Sequence, residues 1–293
     1  LGVNVPAPMN YYYRYDGRFK PFEVQRKTAE FASMNNRCFI LNSMGLGKTV
    51  TSLWALDYMR SIGMVKKALV VCPISVMERA WGDEIFRTFP NLKFNVLYGS
   101  REKRLKLLAE DADIYVINTD GLKIIQQAMA DRPDINLIII DEVAVFRNPS
   151  TARWKTADDI CNKQFHGERR VWGLTGSPIP NAPTDAYGQI KLVTPNNPDL
   201  PKYFGRFRDL VMYQRGQFNW VNKPDAVETV FRIMQPAIRF SLDDAIDLPP
   251  QVIQVRETEL SPEQKKAYKE MMNKLATELK EGKVLAVNEA VKA

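Results

Sequence analysis

Histidine is almost missing from this chain of 293 residues, where His166 stands alone. Zinc sites built on histidine pairs are excluded by that number, and Ser-His-Asp chemistry by the polar loop in which the one histidine lies. His166 itself sits in a polar loop, Gln164 to Arg170, as a bystander. Cysteine is scarce too: Cys38, Cys72 and Cys161 stand far apart with no C-x-x-C pair. Cys38 and Cys72 fall in predicted buried strands, where cysteine acts as a small apolar residue, so a reduced, intracellular setting is expected. That means the cytoplasm of a prokaryote or virus-infected cell, or a nucleus. No apolar run approaches the about 20 residues that span a bilayer, so no membrane partner is expected. The start, L-G-V-N-V-P-A-P-M-N, has no charged n-region and no apolar core, and its lack of an initiator Met suggests processing or trimming.

What is present is enough for a real core, with 45% hydrophobic residues in one large domain or two modest ones. The formal charge of +7 admits an anionic partner without locating it. The most informative stretch runs from Arg37 to Val50, R-C-F-I-L-N-S-M-G-L-G-K-T-V. Cys38 to Leu41 read as a strand, and Leu53, Ala55, Leu56 and Met59 mark a following helix. Between them, Gly45 and Gly47 let main-chain N–H groups approach a phosphate chain, and the helix start adds its positive end. Lys48 supplies a charge for the β/γ-phosphates and Thr49 a hydroxyl for Mg²⁺. The strict G-x-x-x-x-G-K-[ST] pattern fails only at its first position, occupied by Asn42.

Other strands follow in order. Ala68 to Cys72 leads into P-I-S-V-M-E-R-A-W, where Ser75 and Glu78 have capping-box spacing. Ser75 is thus a helix cap, and a helix start at a strand end can also hold a nucleic-acid phosphate. Phe94 to Tyr98 is a short strand, and Ser100 to Leu108 a basic amphipathic helix without an assigned role. Ile114 to Ile117 ends in Asn118, Thr119 and Asp120, at the edge where open α/β sheets bind ligands. Leu137 to Ile140 delivers two adjacent carboxylates, Asp141 and Glu142, in the manner of a Walker B strand. Val171 to Leu174 precedes T-G-S-P-I-P-N, with Thr175 and Ser177 around Gly176. Such alternation predicts a doubly wound, mostly parallel sheet with helices on both faces.

The ends read differently. Residues 1–18, with Tyr11, Tyr12 and Tyr13 in a row, form an extended lead-in, and 19–195 carry the sheet domain. Residues 196–250 read as a helical insertion. Its Pro201 to Trp220 interleaves aromatics with arginines, suited either to base stacking or to packing on the sheet domain. Residues 251–293 supply a strand, Val252 to Val255, and a helix opened by Ser261, Pro262 and Gln264 with Ala267, Met271, Leu275 and Leu279 inward.

Together these blocks resemble the Swi/Snf-type DNA translocases of helicase superfamily two. The blocks are N-S-M-G-L-G-K-T, V-V-C-P-I-S-V-M-E-R-A-W, D-E-V-A-V-F-R-N-P-S, L-T-G-S-P-I-P-N, L-P-P-Q and L-S-P-E-Q-K-K-A-Y. The resemblance implies a RecA-like first motor lobe that binds ATP and Mg²⁺ and grips double-stranded DNA by its phosphates, without sequence preference. It implies Gln25 on adenine, a residue otherwise read as a surface glutamine. It further implies Met44, Gly45, Leu46, Gly47, Lys48 and Thr49 around the phosphates and metal, Asp141 on Mg²⁺ and Glu142 activating water. Thr175 and Ser177 would couple nucleotide state to DNA. Pro73, Ser75, Asn118, Thr119, Asp120, Arg147 and Asn148 would face DNA. Ala144 stands where the family has the histidine of D-E-A-H, so one polar link from ATP to the Thr175 block is expected to be missing. Arg239-Phe240 replaces a pair of arginines. The arginine finger belongs to a second lobe that this chain is read as lacking, so the chain is expected to bind nucleotide, hydrolyse it feebly and not translocate. Two other readings are a strand-separating RNA or DNA helicase and a non-enzymatic, nucleotide-gated DNA-binding module.

Overall fold

Strand formation follows the apolar runs. Arg37–Ile40 (β1), Lys67–Cys72 (β2), Phe94–Val96 (β3), Ile114–Asn118 (β4), Ile135–Asp141 (β5) and Arg170–Leu174 (β6) all form, in the computed structural model, where the sequence places them. The structure describes residues 7–15, 20–164, 169–216, 219–245, 259–266 and 268–269. Three further strands, Met212–Gly216 (β7), Asn219–Asn222 (β8) and Ala237–Ile238 (β9), come from the span expected to be a helical insertion. The main sheet has seven strands in the order β3-β4-β2-β5-β6-β1-β9, and every pairing in it is parallel. β7 and β8 pair with each other as an antiparallel hairpin.

Parallel strands need covered connections, and the helices supply them. They are Pro8–Tyr12 (α1), Glu23–Met34 (α2), Lys48–Ser61 (α3), Asp83–Thr88 (α4) and Arg101–Ala109 (α5). Leu122–Ile125 (α6), Ala152–Asp158 (α7), Ala186–Val193 (α8), Phe204–Val211 (α9) and Ala226–Ile233 (α10) complete the set. Alternate strand residues divide between the two faces, as a period of two requires. Cys38, Ile40, Val70, Cys72 and Ile139 pack with Ala29, Leu53, Trp54 and Ile85 of α2 to α4. Phe39, Leu41, Val71, Ile138 and Ile140 pack with Leu108, Leu122, Trp154, Ile190, Phe207 and Val230 of α5 to α10. Each fully buried Leu, Ile or Phe contributes about 1.5–3 kcal/mol.

The lead-in is not simply extended. It forms α1, buries Met9 completely, and lies against α3: the Tyr13 hydroxyl donates to Asp57 Oδ2 at 2.6 Å, and Tyr15 meets the Trp54 ring edge-on. Within the aromatic–arginine stretch, Phe207 is buried, while the Arg208 guanidinium stacks 3.6 Å over the Trp220 ring centroid. Packing therefore accounts for Phe207 and Trp220, while Tyr203, Phe204 and Tyr213 stay exposed. All three cysteines are buried, with their thiols pushed up by desolvation, Cys161 to about 12.

The chain divides into two compact units, Leu1–Asp247 and Leu248–Ala293. In the second, the predicted helix start is formed. The Ser261 backbone N–H donates to Gln264 Oε1 at 3.0 Å, and the Gln264 N–H donates to Ser261 Oγ at 3.2 Å. His166, the Val252 to Val255 strand, the L-P-P-Q block, Ala267, Met271, Leu275 and Leu279 lie outside the described residues.

Candidate nucleotide site and nucleic-acid edge

All seven parallel strands present their C-terminal ends to one edge. The loop after β1 reaches it first. Gly45 and Gly47 have φ of +85° and +69°, and Gly47 is the left-handed cap from which α3 starts. A Cβ on Gly47 would stand 2.6 Å from Gln25 Nε2. Gln25 is buried; its Nε2 donates to the Leu46 carbonyl at 3.2 Å and its Oε1 accepts the Phe22 N–H at 3.0 Å. It is therefore a brace for the loop rather than a surface glutamine. Leu46 is buried, while Met44 is exposed.

Asn42 explains the departure from the strict glycine pattern. It is fully buried, donates to Thr28 Oγ1 at 2.9 Å and accepts the Phe240 N–H at 3.0 Å. A side chain that ties the loop to α2 and to the stretch after β9 does work a glycine cannot. Lys48 folds back over the loop, its Nζ 2.9 Å from the Asn42 carbonyl and 3.3 Å from that of Ser43. Burial lowers the Lys48 ammonium from its ordinary range, while Glu142 and Asp141 pull it upward.

That electrostatic coupling reflects sheet register. Leu174 of β6 sits opposite Ile40 of β1 on one side and Asp141 of β5 on the other. With strands about 4.8 Å apart, the base of the glycine loop and the acidic pair are separated by about 10 Å. Asp141 is held by Trp81, whose Nε1–H donates to Oδ2 at 2.9 Å, and burial raises its carboxyl above the usual range. Glu142 adopts φ +55°, a left-handed conformation that costs a non-glycine residue on the order of 1 kcal/mol. It accepts from Thr175 Oγ1 at 3.2 Å, which in turn accepts the Ser177 N–H at 3.2 Å. The acidic pair is thus linked to the Thr175 block through Glu142, while Ala144 contributes no polar link of its own. No cluster of three His, Cys, Asp or Glu side chains suited to a metal exists among the described residues. One carboxylate and the Thr49 hydroxyl are hard oxygen donors, which fits an Mg²⁺ that arrives on phosphates and not one held in an all-protein cage.

The remaining predicted residues follow β2, β4 and β5 on the same edge. Ser75 is exposed but caps nothing. Residues Ile74–Val76 form a 3₁₀ turn and Met77–Gly82 a π-helical turn, neither with a side-chain cap, so the capping box is absent. Pro73 is half-buried and Thr119 likewise. Asn118 is buried and accepts from Arg104 Nη1 at 2.7 Å, which removes its side chain from the surface. Asp120 is paired with Arg153 at 2.7 Å. Arg147 and Asn148 are exposed, and Asn148 Oδ1 accepts from the N–H and hydroxyl of Ser150. Gly188 fixes their height: a Cβ there would stand 2.3 Å from the Arg147 carbonyl, so α8 sits directly beneath that loop.

The sequence profile of the SNF2-related domain matches residues 24–292. The chain belongs to that family. A SWI/SNF-related matrix-associated actin-dependent regulator of chromatin subfamily A-like protein 1 from Xenopus laevis is 32% identical over 197 residues, covering 66% of this chain and 18% of the relative. Putative protein p41 of Acyrthosiphon pisum secondary endosymbiont phage 1 is 26% identical over 265 residues, covering 85% of this chain and 56% of its own length. The Sulfolobus solfataricus SWI2/SNF2 ATPase core, solved in complex with double-stranded DNA, superposes with a TM-score of 0.64 at 22% identity, over 94% of this chain and 56% of the other. That likeness establishes a RecA-like fold. The chain spans between 18% and 56% of the length of these relatives. No helix among the described residues is long and apolar enough to cross a membrane.

Within this SNF2-related domain, sequence reasoning missed Asn42, Trp81, Thr28 and Arg104. Trp81 lies inside a quoted block, but no periodicity announces that its indole faces a strand 60 residues away. Arg104 belongs to the basic helix left without a role, and only the fold shows it buried against Asn118.

Proposed function

We propose that this chain is the first RecA-like lobe of an ATP-driven double-stranded DNA translocase, binding ATP with Mg²⁺ at the edge described above. The observation that carries the reading is the shared edge: the loop that ends at Lys48 and the Asp141–Glu142 pair stand two strands apart, and the two carboxylates pull the Lys48 ammonium upward. In this reading Gly45, Gly47 and their neighbours Met44 and Leu46 surround the polyphosphate with main-chain N–H groups, and Gln25 meets adenine while bracing the loop. Lys48 exchanges its carbonyl partners for phosphate oxygens. Thr49 and Asp141 would hold Mg²⁺, which would supply positive charge against the phosphates. Glu142, fixed by Thr175, orients and deprotonates the attacking water; Thr175 and Ser177 pass the change on to the neighbouring loops. Exposed Ser75, Arg147 and Asn148, with Thr119 and the Asn118 main chain, take DNA phosphates, and Pro73 shapes the turn that presents Ser75 to them. The arginine that completes the charge set comes from a second lobe in the intact protein.

The deciding experiment is titration of the chain with Mg·ADP. Saturable binding that Lys48→Ala abolishes is expected; binding that Lys48→Ala leaves intact would refute the assignment of the site.

A further inference from the structure

Buried indole N–H groups need an acceptor, and a main-chain carbonyl is the common solution. Trp154 and Trp172 follow it, donating to Gly188 O at 2.8 Å and Asn35 O at 3.1 Å, while the buried Trp54 Nε1 has no acceptor among the described residues. Trp81 does not: fully buried, it donates to a carboxylate, Asp141 Oδ2, at 2.9 Å. It does so from a π-helical turn, Met77–Gly82, a conformation that is rare and concentrated at functional sites. An α-helical turn over the same residues would rotate residue 81 by a fraction of a turn and carry the indole away from β5. The irregular backbone therefore accompanies one specific contact.

We infer that Trp81 is a positioning residue for Asp141: its N–H pins Oδ2 so that Oδ1 is presented in one direction, toward the metal side of the nucleotide site. This rests on the reading of Asp141 as the Mg²⁺ carboxylate. A pinned carboxylate loses a rotational freedom that metal binding would otherwise have to remove, which is why partners of metal ligands matter nearly as much as the ligands. The π turn begins two residues after Ser75, so the segment that carries Trp81 directly follows the residues proposed to face nucleic acid.

The test compares wild type with Trp81→Phe, which keeps the ring packing and removes the donor. Binding of fluorescent ADP is followed against Mg²⁺ concentration and, separately, in EDTA. Half-saturation in Mg²⁺ should rise about tenfold in W81F, with metal-free ADP affinity unchanged. An unchanged Mg²⁺ dependence overturns the inference, as does an equal loss in EDTA, which would mark a packing defect. A metal-free readout stands beside it: the Trp81 indole ¹H–¹⁵N resonance should move upfield in Asp141→Ala, and an unmoved resonance also overturns the inference. Should W81F fail to fold, that comparison decides alone. Absence of Mg·ADP binding by wild type would sink the nucleotide reading, while the indole resonance still judges the Trp81–Asp141 link.

Discussion

The loops after β1 and β2 occupy the same edge of one sheet and are built by opposite means. The first is specified by its backbone: two glycines at positive φ, a left-handed cap, and an α-helix that starts where the sequence says it starts. The second is specified by a distant partner. Its S-x-x-E pattern points to an α-helix with a cap, yet the chain takes a 3₁₀ turn and then a π turn, and Trp81 ends on Asp141. Local rules govern a segment whose proposed function is carried by main-chain groups. They yield where a side chain must reach a particular atom on another strand.

This contrast can be tested at several points. The largest effect is expected from Glu142→Gln, which removes a base but keeps size and shape. Hydrolysis by the intact protein should fall about 10³-fold with nucleotide affinity retained. Steady-state turnover beside ADP titration measures it, and little change in turnover would favour a nucleotide-gated binding module. Next comes Gly47→Ala. The new methyl needs a left-handed φ and the space of Gln25 Nε2, so the loop should lose about 2–3 kcal/mol in chemical denaturation and nucleotide binding should weaken with it. Gly188→Ala forces α8 off the Arg147 carbonyl and is expected to cost about 1–3 kcal/mol. Its DNA affinity should fall while Mg·ADP affinity holds, since Arg147 and not Lys48 moves. The smallest effect separates the two loops most sharply. Ser75→Ala should change stability by less than about 0.5 kcal/mol, whereas loss of a true cap costs about 1 kcal/mol, a difference that urea titration resolves.

Much of the fold was legible because β1, β2, β4, β5 and β6 are short apolar runs ending in polar residues, as strands buried on both faces must be. The glycine loop and the acidic pair were legible because their chemistry is carried by residue type at fixed spacing. β9 was not, since Ala237–Ile238 is too short to show a period and follows β6 by more than 60 residues. The β7–β8 hairpin was hidden because its residues are largely exposed and mix arginine with aromatics, so no alternation marks a buried face. Asn42 looked like a defect in a motif. Its two hydrogen bonds, to Thr28 and to the Phe240 main chain, are tertiary and leave no trace in spacing.

Two residues, Ala237 and Ile238, also decide how the domain can be cut. They give β1 its outer neighbour, with the Phe39 N–H bonded to the Pro236 carbonyl and the Leu41 N–H to that of Ile238. A fragment stopped before Gln235 would keep every residue proposed to hold nucleotide yet leave the flank of β1 as an open template for strand pairing with a second copy. Such a fragment should precipitate or form sheet-paired oligomers, so any shortened version must carry its chain past Phe240.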